Sequence, residues 1–600
     1  MNLHVSEPSG ARASHSPAKA WLRALEATAP IAANPSRTLP AILDALAERH
    51  GDAPALLSDR ETLSYRALAA RANRYARWAL AQGVGKGDTV GLLMPNRPEY
   101  MAAWLGIARV GGAVALLNTS LRERSLAHCI DIVAPRHIIV ADELSEALAG
   151  ARPGLASRPR VWALGADAAD AGRIDRDLAR YSEAPLEAAE QRGVTIDDAA
   201  LYIYTSGTTG LPKAAKVSHA RVLTWSYWFA GMMDTAADDR MYDCLPMYHS
   251  VGGVVATGAV LVSGGSVVIR ERFSARQFWD DVAGWDCTLV QYIGELARYL
   301  VNAPPHPLER THRIRLACGN GLRADVWQAF QQRFAIPNIL EFYAATEGNL
   351  SLYNVDGKVG AIGRVPSYLA HRFPAAIVRF DIERGEPVRD AQGLCIRCGA
   401  DEVGEAIGRI ESANPGARFD GYTDAEASAK KILRDVFKAG DAWFRTGDLM
   451  RKDAQGYFYF VDRIGDTFRW KGENVSTTEV AAAIAGCPGV LDATVYGVAV
   501  PGTDGRAGMV ALAVAKGFDL AALYRHLECL PAYARPVFLR IRAELETTAT
   551  FKHKKDELAR AGYDPAATED EVYISDPQQN AYARVDAVLF ERIEAGRIRL

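Results

Sequence analysis

Tyr202-Ile-Tyr-Thr-Ser-Gly-Thr-Thr-Gly-Leu-Pro-Lys213 is the stretch on which the reading of this chain turns. The apolar run Ala200–Tyr204 has the length and composition of a short buried strand. It breaks into hydroxyls and glycines and then reaches Lys213. Glycines let backbone N–H groups turn toward a phosphate, Ser and Thr hydroxyls add donors, and the lysine adds charge. Thr205, Ser206, Gly207, Thr208, Thr209, Gly210 and Lys213 are therefore candidate phosphate ligands. The plain alternative is a Ser/Thr/Gly surface loop. A Walker A loop is excluded, because it needs four residues between its glycines and a lysine directly after the second. Here Gly207 and Gly210 are closer, and Leu211-Pro212 intervene before Lys213.

A chain of 600 residues is too long for one core, so several domains are expected. Its net charge of −3 gives no electrostatic case for nucleic acid. The 8 cysteines are scattered, which suits a reducing cytoplasm. Cys395-Ile-Arg-Cys398 lacks a second pair at zinc-site spacing and reads as two strand-edge thiols. The first 35 residues, rich in Ala, Ser and Pro, read as a flexible tail with one short helix around Trp21–Ala27. They contain no continuous apolar run of the signal-peptide kind. Val251–Ile269 is apolar and about long enough to span a bilayer, but Gly252-Gly253 and Ser263-Gly264-Gly265 interrupt it. A buried helix, a turn and a strand are expected there.

From Thr38 to Val140 helical and strand patterns alternate, and a second such run extends from His219 to Leu340. This alternation predicts two doubly wound α/β subdomains. From Gly360 to Tyr459 short strands separated by Gly, Asp and Pro predict a small β-barrel or distorted sheet. A last α+β unit follows Asp462. The expected division is a tail at 1–35, a large body at 36–461, a hinge at 462–466 and a small mobile domain at 467–600.

Three later segments carry chemistry. Gly319-Asn320-Gly321-Leu-Arg-Ala324 follows a predicted strand and opens a helix, with Glu341 about twenty residues on. That is the pattern of a dinucleotide site, weak when alone and mid-chain. In Tyr343-Ala-Ala-Thr346-Glu347 the aromatic can stack on a purine, Thr346 can bond a phosphate and Glu347 can hold magnesium. An ordinary solvated carboxylate at a strand end is the equal alternative. Asp448 follows Gly447 and can accept two ribose hydroxyls, or be part of any turn.

Thr205–Lys213 resembles the phosphate loop of the adenylate-forming enzymes: acyl-CoA synthetases, luciferases and peptide-synthetase adenylation domains. Glu341–Asn349, Asp462–Glu479 and Thr550-Phe-Lys-His553 resemble the very-long-chain acyl-CoA synthetase and fatty-acid transport protein branch. The resemblance runs from about Thr38 to about Gly562. It implies an adenine pocket lined by Gly319, Asn320 and Gly321, and a Tyr-x-x-Thr-Glu segment matched by Tyr343, Thr346 and Glu347. It makes Asp448 the ribose ligand and Arg463 a ribose or phosphate contact. It makes Lys552 the mobile catalytic lysine, with Lys554 and Lys555 near enough to compete. Gly472 falls on the CoA side. His249, in Pro246-Met-Tyr-His249, borders the acyl site and is read either as a gate or as a structural residue. This chain departs from the wider pattern at Gly465, the hinge position, and at Asn474.

The implied activity is an ATP-dependent ligation of a long- or very-long-chain fatty acid to CoA through acyl-AMP, with Mg2+ bound by Glu347. A ligase for a bile acid or steroid side chain would share every motif, and so would an acyl-AMP ligase that loads a carrier protein. Fatty acid, ATP and CoA are the expected partners, in the cytoplasm. Peripheral attachment to the inner face of the membrane and a homodimer stay open.

Overall fold

A computed structural model describes residues 16–598 except 166–169, 206–210, 412–417, 472, 502, 504 and 549–552. The chain forms two compact units. The first holds most of the residues up to Phe342, and the second holds Thr205–Lys213, Tyr343–Tyr353 and Gly360–Leu600.

The first unit is α/β and contains two sheets. In one, Ala171–Arg173, Arg160–Leu164, His137–Ala141, Thr89–Leu93, Ala113–Leu116 and Ala199–Thr205 lie side by side, all parallel. In the other, Ser266–Ile269, Arg240–Asp243, Leu289–Ile293, Leu316–Asn320 and Ile339–Ala344 are parallel. Their near-continuous apolar character is that of strands buried on both faces. The early hairpin Pro54–Leu57/Thr62–Ser64 joins this second sheet, where Leu56 lies opposite Val267. It does not join the sheet nearer in sequence. The apolar run at 251–269 is a wide helical turn Val251–Val255, a helix Ala256–Leu261 and a strand, as its glycines predict. Among the described residues no helix is long and apolar enough to cross a membrane.

The second unit contains antiparallel strands in the order Ala375–Val378, Gly404–Arg409, Ala442–Lys452, Tyr457–Arg463 and Gly363–Arg364. Irregularities between Glu405 and Ile407 and between Leu449 and Met450 bend them. Cys395 and Cys398 are free thiols, and their backbone N–H groups bond Val436 and Ile377. Farther along lies a five-stranded sheet, Val490–Val498, Ala507–Val514, Phe538–Arg542, Glu571–Asp576 and Ala581–Arg584. Residues beyond the stretch covered by the family resemblance contribute to its core: Tyr563 stacks on Phe538 at 4.2 Å, and Val572 and Ile574 are buried.

Residues 16–35 are not the loose tail that was expected. Pro17–Thr28 is a helix that buries Ala20, Trp21 and Ala24. Trp21 meets Trp228 edge to face at 5.6 Å, and Arg23 donates to the Gly231 carbonyl at 3.0 Å near the end of helix His219–Met233. A cation bonding a carbonyl of the last turn is favourable there. The short helix expected around Trp21–Ala27 is thus present and starts at Pro17; its packing on a distant helix is what the sequence did not show. Replacing Trp21 by Ala should cost about 3–5 kcal/mol, the range for a large aromatic removed from a core. Thermal unfolding of the full chain would show it; an unchanged midpoint would mean that the helix is dispensable.

Candidate active site

In the first unit, strand Leu316–Asn320 carries Gly319 and Asn320, and Gly321 turns away with φ +80°. A side chain at Gly319 would collide with the Tyr292 backbone and ring, its ideal Cβ lying 2.3 Å from the carbonyl oxygen. Asn320 keeps a buried Oδ1 that has no hydrogen-bond partner among the described residues. Glu341, the acidic residue of the dinucleotide pattern, is fully buried and faces its own loop. It accepts from the Leu322 N–H at 3.0 Å and from the Tyr292 hydroxyl. Burial pushes its carboxyl up to about 8. Glu341 therefore braces the glycine loop and does not stand where a ribose ligand would.

His249 is half-buried beside the ring of Tyr248, at 4.7 Å, and its carbonyl accepts from Gly253 at the start of the wide turn. Asn96, which the sequence reading passes over, positions this segment. Its amide donates to the Leu245 and Arg270 carbonyls and accepts from the Met247 N–H at 2.8 Å. A lone buried Asn has no sequence signature; only the contacts reveal it.

In the second unit two groups of predicted residues meet along 343–347. In one, the Tyr343 hydroxyl donates to Asp448 Oδ2 at 2.5 Å. Asp448 lies directly opposite Arg463 across the antiparallel strands, with Arg463 Nε 3.9 Å from Oδ1. Burial, and then the Asp448 charge, hold the Tyr343 hydroxyl well above its usual range. In the other, Glu347 is 8% exposed and accepts from the Tyr422 hydroxyl at 2.7 Å. Tyr422 also contacts Thr205 through its hydroxyl, and its ring lies 5.7 Å from Lys213 Nζ. Lys431 Nζ stands 3.8 Å from Glu347 and donates to the Thr446 carbonyl at 3.1 Å. Thr346 is half-buried between the two groups in sequence.

Tyr422 and Lys431 are absent from the sequence reading. Phe419-Asp-Gly-Tyr422 signals only a turn, and Lys430-Lys431 closes a short helix in the manner of a solvated pair. Glu347 alone fits magnesium in the way that cation is commonly held, by one or two carboxylates completed by substrate phosphates and water.

Gly465 takes φ +102° with open space around it. Next to it, Lys555 Nζ pairs with Asp466 at 2.9 Å and reaches Thr477 Oγ1 at 3.3 Å. Asp462, its carboxyl raised by burial, accepts from the Thr477 N–H at 2.6 Å. Lys554 pairs with Glu546. Of the competing lysines, Lys555 is thus engaged on Asp466 and Thr477 and Lys554 on Glu546. Ser206, Gly207, Thr208, Thr209, Gly210, Gly472 and Lys552 lie outside the described residues.

Glu341 generates a prediction with a definite sign. An unfolded glutamate titrates near 4.3 and the folded one at about 8, so the folded state holds the proton more tightly. That stabilisation is complete below about 4.3 and is lost as pH rises through about 8. Glu341→Gln keeps the Leu322 N–H bond on its oxygen, lets its amide donate to the Tyr292 hydroxyl and removes the titration, so its unfolding midpoint should fall less than the parent's between pH 6.5 and 9. Glu341→Ala should cost about 1–3 kcal/mol near pH 6.5, by leaving buried donors unpaired, and less as the pH rises. Parallel pH profiles for parent and Gln variant would refute the assignment.

Comparison with known proteins follows from this geometry. The AMP-binding enzyme family matches residues 43–397, and the AMP-binding enzyme C-terminal domain matches residues 479–552. The chain is 42% identical over 572 residues to long-chain fatty acid transport protein 1 of Mus musculus, covering 94% of this chain and 88% of that protein. It is 40% identical over 569 residues to long-chain fatty acid transport protein 2 of Rattus norvegicus, covering 93% and 91%. The fold is shared with the anthranilate CoA ligase AuaEII in complex with anthranoyl-AMP, at TM-score 0.75, 21% identity and coverage of 89% and 98%. It is shared also with ATP-bound MatB from Rhodopseudomonas palustris, at TM-score 0.73, 23% identity and coverage of 88% and 100%. The chain belongs to the AMP-binding enzymes of the adenylate-forming superfamily, in the branch of the long-chain fatty acid transport proteins.

Proposed function

We propose that this protein is an AMP-forming acyl-CoA ligase for long- or very-long-chain fatty acids. The observation that carries the proposal is the meeting, within one unit, of a nucleoside group (Tyr343, Asp448, Arg463) and a phosphate group (Thr205, Lys213, Glu347) joined by the five residues 343–347. The fatty-acid reading rests on the names of relatives above 40% identity. The division into a body at 36–461, a hinge at 462–466 and a mobile domain at 467–600 is part of the same proposal.

In the first half-reaction a carboxylate oxygen of the fatty acid attacks the α-phosphorus of ATP, and the bond to the bridging oxygen of pyrophosphate breaks. The aromatic ring of Tyr343 offers a face to the purine. Asp448 has one oxygen on Tyr343 and keeps acceptor sites for the ribose hydroxyls. Thr205–Lys213 supplies donors and a cation to the β- and γ-phosphates, and Thr346 reaches the α-phosphate. Glu347 would hold a magnesium ion, which when bound would supply positive charge to the nucleotide's phosphates. Lys552 stabilises charge at the α-phosphate. In the second half-reaction the small domain turns about Gly465, which brings Gly472 to the CoA side, and the thiol sulfur attacks the acyl carbonyl and AMP leaves. One centre then runs two reactions by domain movement. His249 borders the acyl carboxyl, and Gly319–Gly321 border the adenine.

Two measurements test this. In an ATP–pyrophosphate exchange screen across carboxylic acids, repeated with CoA, palmitate and longer acids should give exchange and a CoA thioester. Preference for a steroid or bile acid, or adenylate without thioester, would replace the fatty-acid CoA ligase by one of its rivals. Lys552→Ala should lower adenylation by at least about a hundredfold, the scale for losing one preorganised charge contact, and spare thioester formation from supplied acyl-AMP. Equal loss in both steps would remove Lys552 from that role.

A further inference from the structure

We propose that Lys431 is a second cation of the phosphate site, held in reserve on Glu347 until a divalent cation takes that carboxylate, and then turned to the departing pyrophosphate. The inference rests on the adenylation reading above.

Three contacts fix the Lys431 ammonium. It stands 3.8 Å from Glu347 Oε1, donates to the Thr446 carbonyl at 3.1 Å and lies 5.5 Å from the centre of the Phe444 ring. The first is a Coulombic contact beyond hydrogen-bond length, so it can be exchanged without stranding a donor. The hydrogen bond that holds the same oxygen comes from Tyr422, at 2.7 Å. The carboxylate thus keeps its orientation when Lys431 leaves. The two side chains also differ in access, that of Lys431 being 26% exposed and that of Glu347 10%. The lysine is on the open side. The adjacent Lys430 is tied to Glu426 at 2.7 Å on an exposed surface, so the two lysines of the pair have separate duties.

The site has a charge problem that this arrangement solves. Glu347 is a nearly buried carboxylate beside Tyr422, whose ring Lys213 overlies and whose hydroxyl contacts Thr205. Without a cation it would repel incoming phosphates. With both a divalent cation and an ammonium on the same oxygen, the two cations would repel each other. Lys431 satisfies the first condition in the free enzyme and must give way in the second. Its four-carbon stem lets the ammonium swing while the backbone stays in place. The nearest new anion is the polyphosphate brought by the nucleotide. Lys431 therefore offsets the charge of Glu347 before the nucleotide binds and is a phosphate contact afterwards.

The test uses full-length Lys431→Met and Lys431→Arg, with binding of α,β-methylene ATP followed by calorimetry over a magnesium series, which needs no turnover. In Lys431→Met the magnesium concentration for half-maximal binding should fall about tenfold, because a competing cation is gone. Affinity at saturating magnesium should weaken about tenfold, and pyrophosphate release should drop about a hundredfold. Lys431→Arg should stay within a fewfold of the parent in all three. An unchanged magnesium midpoint in Lys431→Met would overturn the proposal. So would a lowered unfolding temperature as its sole effect, since that marks a packing role. If Lys431→Met does not fold, Lys431→Gln is read in the same way. Should no acid elicit pyrophosphate release from the parent, the adenylation reading fails, while the magnesium midpoint still reports separately on Lys431.

Discussion

A nearly buried carboxylate must be balanced, and the contacts of Glu347, in the proposed phosphate site, show how this chain does it. The Tyr422 hydroxyl hydrogen-bonds the carboxylate, and Lys431 offsets its charge from 3.8 Å. Tyr422 then acts as the common surface of the phosphate group, with Thr205 at its hydroxyl and Lys213 over its ring. One aromatic side chain links three segments far apart in the chain. A bare carboxylate in that position would cost several kcal/mol in desolvation and would repel the nucleotide.

Glu341, six residues before Glu347 on the same run, meets burial in the opposite way. It keeps its proton, because it is sealed from water and has only neutral donors around it. Glu347 instead lies 3.8 Å from the Lys431 ammonium. The difference follows from the strand: Glu341 is inside the sheet of the first unit, whereas Glu347 lies past the strand end at Ala344. The place beyond the carboxyl end of a parallel strand is where ligands of open α/β sheets sit. The same run therefore supplies a structural brace for the glycine loop and, after the strand ends, a polar group for chemistry.

Around Gly465, the proposed hinge, the local contacts are weak ones. Gly465 occupies a positive φ in open space, which a glycine tolerates at little cost. The surrounding contacts are polar and exchangeable: Lys555 on Asp466 and Thr477, and Asp462 on the first turn of the helix Thr477–Ala485. A half-exposed ion pair of this kind contributes about 1 kcal/mol or less, so it can favour one arrangement without locking it.

Much of this was legible in the amino-acid order. Local periodicity shows the parallel α/β runs and the broken apolar stretch at 251–269, and short-range spacing marks Thr205–Lys213, Tyr343–Glu347 and Asp448. These are properties of neighbours along the chain, so a linear string carries them. The pairing of the first hairpin with a strand about two hundred residues on, the burial of Trp21 against Trp228, and the inward turn of Glu341 are decided by packing between distant segments. The same holds for Tyr422 and Lys431 on Glu347 and for Lys555 at the hinge. A lysine pair at a helix end and an aromatic in a turn look like ordinary surface until the tertiary structure brings a carboxylate to them. By itself the sequence determined which groups could bind a nucleotide; the tertiary structure decided which charges face one another, because Coulombic balance depends on distance in space and not along the chain.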